Sequence, residues 1–128
     1  RFDQDGLRDL GLSRQKARYA CALAEAGIDY DALRHASNDE VIKTLTSVTG
    51  IGVWTAEIYA MFSLGRADVF APGDLALQVS AQALFDLPER PKPETLATMA
   101  RAWSPWRSVA ARLLFAYYRV IKQREGIT

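Results

Sequence analysis

The chain has 128 residues, 49% of them hydrophobic and 24% charged, with a formal net charge of +1 and a pI of about 8.1. These are values of an ordinary soluble domain with its own core; a near-neutral balance neither demands nor excludes a nucleic-acid partner, because a local basic face can sit on such a protein. The single cysteine, Cys21, excludes an intrachain disulfide and any Cys-rich metal or iron–sulfur site, and no apolar run reaches the ~18 residues of a membrane-crossing helix.

Period-2 alternation bounded by hairpin turns is absent, and every periodic stretch is helical, so the fold expected is all-α. Leu7, Leu10 and Leu12 form a short apolar entry. Ser13 caps a helix to about Ala26, whose inner stripe is Ala17, Ala20, Cys21 and Ala24, and Gly27 follows as its C′ residue. Asp29 to Ala36 holds a short helix around Leu33. The only histidine, His35, has no nucleophile motif beside it and reads as structural. Ser37-Asn38-Asp39-Glu40 is a capping box, opening a helix with Val41, Leu45 and Val48 on one face. That helix must stop near Ser47, because Thr49-Gly50-Ile51-Gly52 follows.

The next helix, about Val53 to Leu64, is apolar nearly all round and should cross the core. Gly65 ends it. Arg66 to Gly73 is a loop broken at Pro72-Gly73, and Asp74 then caps a helix to about Phe85. Pro93 fits the first turn of a helix with Leu96, Met99, Ala100 and Trp103 on one face. Ser104-Pro105 repeats that signature and opens the last helix, to about Gln123. Trp103, Pro105, Trp106 and Arg107 read as a helix junction with two packed indoles, Arg107 being free to pair with a buried carboxylate. Arg112, Arg119, Lys122 and Arg124 read as a solvated helix face.

A tight glycine turn between two helices gathers backbone N–H groups at the N-terminus of the second, and those donors with the helix dipole favour an anion. Alone, Gly50-Ile51-Gly52 is equally well a structural αα-corner. Likewise Asp74 alone is a helix cap, Trp54 a core residue and Phe115 core packing.

The segment Leu45-x-x-Val48-Thr49-Gly50-Ile51-Gly52-x-Trp54-Thr55-Ala56 resembles the helix-hairpin-helix of the HhH-GPD DNA glycosylase superfamily. Val69-Phe70-Ala71-Pro72-Gly73-Asp74 resembles the Gly/Pro-rich loop and aspartate of that name. GIG-x-WTA at 50–56, DVF-x-P-x-D at 68–74 and W-x-PWRS at 103–108 are most similar to the branch containing 3-methyladenine DNA glycosylase II. The resemblance implies one helical domain over 1–128 with its hairpin at 37–64, and a domain front lying before Arg1.

The resemblance also implies a chemistry. Asp74 matches the catalytic aspartate, which stabilises positive charge on the sugar as the N-glycosidic bond breaks. Trp54 stands where relatives that also cut the backbone carry a Schiff-base lysine, so the enzyme should be monofunctional, with no AP-lyase activity. Trp54, Ile58, Leu75 and Phe115 match the base pocket, which is less aromatic here than in the best-known relative. Gly50, Ile51, Gly52, Val53 and Thr55 match the phosphate-binding amides. The main-chain carbonyls of Thr46, Val48 and Ile51 match a site for Na⁺ or K⁺, and no iron–sulfur cluster is expected. The expected partner is double-stranded DNA carrying a damaged base, extruded into the pocket with help from a wedge residue near or before Arg1. The expected protein is a monomer at a bacterial nucleoid, removing alkylated purines such as 3-methyladenine in base excision repair. The alternatives are a glycosylase of this fold for another lesion and a non-catalytic hairpin module that binds DNA.

Overall fold

The computed structural model describes residues 5, 6, 14, 17, 18, 20, 21, 27–48 and 50–125. The structure is all-α, with no strand among the described residues. From residue 27 onward the described residues form six helices in order: α1 (Tyr30–Arg34), α2 (Asn38–Thr46), α3 (Val53–Phe62), α4 (Leu75–Leu84), α5 (Pro93–Ala100) and α6 (Arg107–Arg124), with a 3₁₀ turn at Arg101–Trp103. Leu7, Leu10, Leu12, the Ser13 cap, Ala24, the helix end at Ala26 and Thr49 lie outside the described residues. Of the stripe expected upstream, Ala17 and Ala20 are buried and Cys21 is half-buried against the core.

Caps set the helix starts. Asp29 accepts a hydrogen bond from the Ala32 amide at 3.1 Å, and the Ser37 hydroxyl accepts one from the Glu40 amide at 3.2 Å. Each such cap is worth about 1 kcal/mol. Helix α3 has Ala56, Ile58, Tyr59, Ala60, Met61 and Phe62 buried, so it does run through the core. Phe62, Phe115, Leu45, Ile58, Met61, Leu77 and Leu96 are fully enclosed. Burying one such side chain contributes roughly 1.5–3 kcal/mol.

Helix α4 packs along α6, and α2 along α3. Small buried residues, Ser80 and Ala81 on α4 and Ala111 on α6, let backbones approach closely. The buried Ser80 hydroxyl is satisfied by donating to the Leu114 carbonyl at 2.8 Å.

The opening of the last helix differs from expectation. Ser104-Pro105 does not start it: that peptide bond is cis, and α6 begins at Arg107 after an uncapped Trp106. The reason is a cap supplied from far away in sequence. Asp68 accepts from the Arg107 amide at 3.3 Å, while its other oxygen takes the Ser104 hydroxyl at 2.7 Å. Nor are both indoles packed. Trp103 lies between Phe70 and Phe85, at 5.6 and 6.0 Å between ring centres, whereas Trp106 is 62% exposed.

Candidate active site

The loop of residues 63–74, between α3 and α4, is fastened at several points, and these fix where Asp74 stands. Arg66 donates to the Ala36 carbonyl at 2.7 Å, to Asn38 Oδ1 at 3.1 Å and to the Leu33 carbonyl, tying the loop to the α1–α2 corner. Arg107 pairs with Asp68 at 2.7 Å through Nε and 3.0 Å through Nη2, a two-pronged contact. That guanidinium holds the Asp68 carboxyl at about 2, below its ordinary 3.8. The Ser108 hydroxyl accepts from the Val69 amide at 2.9 Å and donates to the Val69 carbonyl at 2.8 Å, and the Ser108 amide donates to the Ala67 carbonyl at 2.9 Å. Gln78 Nε2 donates to the Pro72 carbonyl at 2.8 Å.

At the end of this loop Asp74 caps α4. Its Oδ1 accepts from the Ala76 and Leu77 amides at 2.9 and 3.3 Å. Its Oδ2 accepts from the Trp54 indole Nε1 at 2.7 Å. The carboxyl group is 1% exposed. A carboxylate so placed has fixed orientation and lies against the positive end of a helix dipole. Such a group can stabilise a cation developing close to it, because it need not reorganise when the charge appears.

The turn before α3 places two glycines at the helix start. Gly50 has φ +90, a conformation that side chains rarely adopt, whereas Gly52 has φ −89 and serves as the N-cap of α3. No side chain caps the first amides of α3. The Val53 and Thr55 amides belong to the first turn of α3, where N–H groups lack intrahelical partners. A Cβ added at Gly52 would meet no protein atom within 4 Å, so the space there is open. The Ile51 amide is already used, donating to the Val48 carbonyl at 3.0 Å. Of the five residues expected to contact phosphate, Ile51 thus has its backbone donor engaged inside the turn.

The four expected pocket residues are not gathered into one open cavity. Trp54 is half-buried against Asp74, Ile58 and Phe115 are fully enclosed, and Leu75 is 46% exposed. Phe115 stands against Phe62, 5.9 Å between ring centres. A cleft of about 210 Å³ opens elsewhere, lined by Asn38, Ile42, Glu57, Asp68, Phe70 and Arg107 among others. Burial pushes the Glu57 carboxyl up to about 8.

No protein-family model matches the chain. DNA-3-methyladenine glycosylase 1 of Schizosaccharomyces pombe is 32% identical over 119 residues, which are 89% of this chain and 52% of that protein. The crystal structure of a DNA-3-methyladenine glycosidase from Bacillus halodurans superposes with a TM-score of 0.68 at 35% identity, over 96% of this chain and 58% of that one. The S. pombe 3-methyladenine DNA glycosylase Mag1, solved in complex with abasic DNA, gives a TM-score of 0.66 at 32% identity, over 89% and 58%. The chain is related to the DNA-3-methyladenine glycosylases. It spans about half of the length of such curated relatives or less, from 39% to 55% in four of them.

Within this glycosylase-related fold, several contacts escaped the sequence reading. The bond from Trp54 to Asp74 crosses 20 residues and has no periodic or spacing signature. Gln78, which holds the Pro72 carbonyl, is itself buried, and a polar residue in a largely apolar helix was the available signal. Asp68 stands in the DVF-x-P-x-D motif, yet its tie to Arg107 becomes visible only once α6 is in place. Glu57 gave no signal, because a glutamate on an apolar helix passes for a solvent-facing residue.

Proposed function

We propose that this chain is the hairpin-bearing part of a monofunctional DNA glycosylase that excises alkylated purines of the 3-methyladenine type and so starts base excision repair. The observation that carries the reading is the Asp74 carboxylate, buried and held by two backbone amides and the Trp54 indole, after a glycine turn with an uncapped helix end. The relationship to DNA-3-methyladenine glycosylases supports the substrate class.

The proposed mechanism follows from what these groups can do. The open end of α3 takes a DNA phosphate through the Gly52, Val53 and Thr55 amides, with Gly50 shaping the turn. Such contacts position the duplex without reading its sequence. The target nucleotide is turned out of the stack toward Asp74, with Trp54 and Leu75 the proposed pocket residues that reach the surface and Ile58 and Phe115 fully enclosed. As the N-glycosidic bond lengthens, positive charge grows on the sugar and Asp74 stabilises it; water completes the hydrolysis. Trp54 carries no amine, so this position cannot form a Schiff base with the sugar, and the product is an uncut abasic site.

The carbonyls of Thr46, Val48 and Ile51 are neutral oxygen donors of the kind that hold Na⁺ or K⁺, the Val48 carbonyl already accepting from the Ile51 amide. Such an ion would add positive charge beside the phosphate grip. The proposed domain runs over 1–128 with its hairpin at 37–64, and the proposed partner is damaged double-stranded DNA bound by a monomer. No helix among the described residues is long and apolar enough to cross a membrane.

The test is release of free bases from randomly methylated duplex DNA by the intact protein and by its Asp74→Asn form. Release of 3-methyladenine or 7-methylguanine by the parent alone is expected. DNA binding without release by either would leave a glycosylase for another lesion or a non-catalytic hairpin module, which a lesion panel on the same protein would separate. Trapping with borohydride on abasic-site DNA should give no covalent adduct; an adduct would end the monofunctional reading.

A further inference from the structure

The proposed chemistry needs Asp74 close to the sugar, because attraction between charges falls with distance and with screening. In the structure Asp74 is 1% exposed, and both of its oxygens accept hydrogen bonds. Of the expected pocket residues, Ile58 and Phe115 are fully enclosed and Trp54 is half-buried. This is a resting arrangement, from which a nucleotide reaches the carboxylate only after something moves.

The two oxygens differ in what holds them. Oδ1 accepts from the Ala76 and Leu77 amides at 2.9 and 3.3 Å. Those donors are backbone atoms of α4, whose entry is tied by the bond from Gln78 to the Pro72 carbonyl, and they shift only with the helix. Oδ2 accepts from the Trp54 indole at 2.7 Å, a bond between two side chains. Trp54 can leave it by turning about its own side-chain torsions while the backbone of α3 stays in place. The approach to Asp74 that costs the fold least is therefore the one through Oδ2.

We propose that Trp54 is a specificity-determining latch: its indole N–H occupies Oδ2 of Asp74 in the unliganded protein, and only a nucleotide carrying positive charge at the sugar displaces it. The inference rests on the proposed glycosylase reaction. A hydrogen bond to an ionised acceptor is a strong one, so a neutral sugar competes with it poorly and a sugar with developing charge competes well. A pocket wall adds affinity for its ligand. A latch subtracts affinity, because a bond made only in the closed state lowers the population of the state that binds. Undamaged duplex, held at the start of α3, does not call on Asp74 and is indifferent to the latch.

The experiment compares the intact protein with its Trp54→Phe form, which keeps an aromatic ring and loses the N–H. Equilibrium binding is measured to a duplex with a protonated pyrrolidine in place of one abasic sugar, and to the undamaged duplex. Trp54→Phe should bind the pyrrolidine duplex about 10-fold more tightly than the parent, the equivalent of one charged hydrogen bond no longer broken. Undamaged duplex should bind both forms equally. A parent that prefers the pyrrolidine duplex, beside a Trp54→Phe form that binds it equally or more weakly, would overturn the latch alone. A parent with no preference for it would sink the glycosylase reading and this inference together. If Trp54→Phe does not fold, the indole N–H resonance of Trp54 in the parent, assigned by backbone connectivity, gives the answer. It should move upfield with the pyrrolidine duplex and stay with the undamaged one; an unmoved resonance in bound protein would overturn the proposal.

Discussion

At the scale of single residues, Asp74 combines two duties that mutation can separate. Asparagine caps helices about as well as aspartate, so Asp74→Asn should keep the bonds from the Ala76 and Leu77 amides. Its NH2 group would then face the Trp54 indole N–H, so thermal unfolding should become easier by about 1 kcal/mol, while base release falls by about 100-fold or more. Asp74→Ala removes the cap together with the bond from the Trp54 indole, so unfolding should become easier by about 2–3 kcal/mol. Equal melting of the two variants would contradict this division. Glu57 gives a second residue-level expectation. Its folded carboxyl titrates near 8 against an ordinary 4.5. Between those values the unfolded state has lost a proton that the folded state keeps, so stability falls as pH rises through the window. Glu57→Gln should melt with the parent near pH ~4 and above it near pH ~8.5, as thermal unfolding across that range would show. A parallel slope in both proteins would clear Glu57 of the effect. The sequence made the identity of Asp74 legible, because loop, proline and cap coincide there. It concealed Trp54's bond and Glu57's burial, since both depend on which way α3 is turned.

At the scale of elements, the two glycines of the turn divide its work. Gly50→Ala meets no crowding but must hold φ +90, so it should destabilise the fold by roughly 1–2 kcal/mol. Gly52→Ala has an ordinary φ and open space, so the fold should tolerate it. Its methyl group would occupy the place proposed for a DNA phosphate. DNA affinity should fall about 10-fold with no change in melting temperature, the equivalent of a well-placed charged contact. Unaltered binding would remove the phosphate from that helix end. Helix order and most boundaries could be read from caps and periodicity, because Asp29, Ser37 and Pro93 act within a few residues of themselves. The start of α6 could not. Its cap, Asp68, comes from 39 residues away, and a local reading chose Ser104 instead.

At the scale of the whole molecule, the fold is held at the site by polar ties and elsewhere by the apolar core. Arg107→Met should loosen the loop from α6 and destabilise by roughly 1–3 kcal/mol, since Asp68 would lose its charged partner while half-buried. Because Arg107 holds the Asp68 carboxyl near 2, that contribution is complete above about pH 4 and disappears as pH falls through about 2. The parent and the variant should therefore converge in strong acid, which unfolding curves over a pH series would reveal. The all-α class was evident from periodicity because each helix declares its own period. The pairing of α4 with α6 was not, because nothing local records which apolar faces meet.

The Ser108 clasp on Val69 has a consequence for how such a protein can vary through descent. One hydroxyl serves both the amide and the carbonyl of Val69, while its own amide serves Ala67. Alanine loses both bonds, so drift at this position is narrow. A residue inserted or deleted between Ala67 and Asp74 would throw the clasp and the Asp68 cap out of step with each other. The segment from Asp86 to Arg90 has no such fastening and lies at the surface. New lengths can accumulate there while the distance from clasp to carboxylate stays constant.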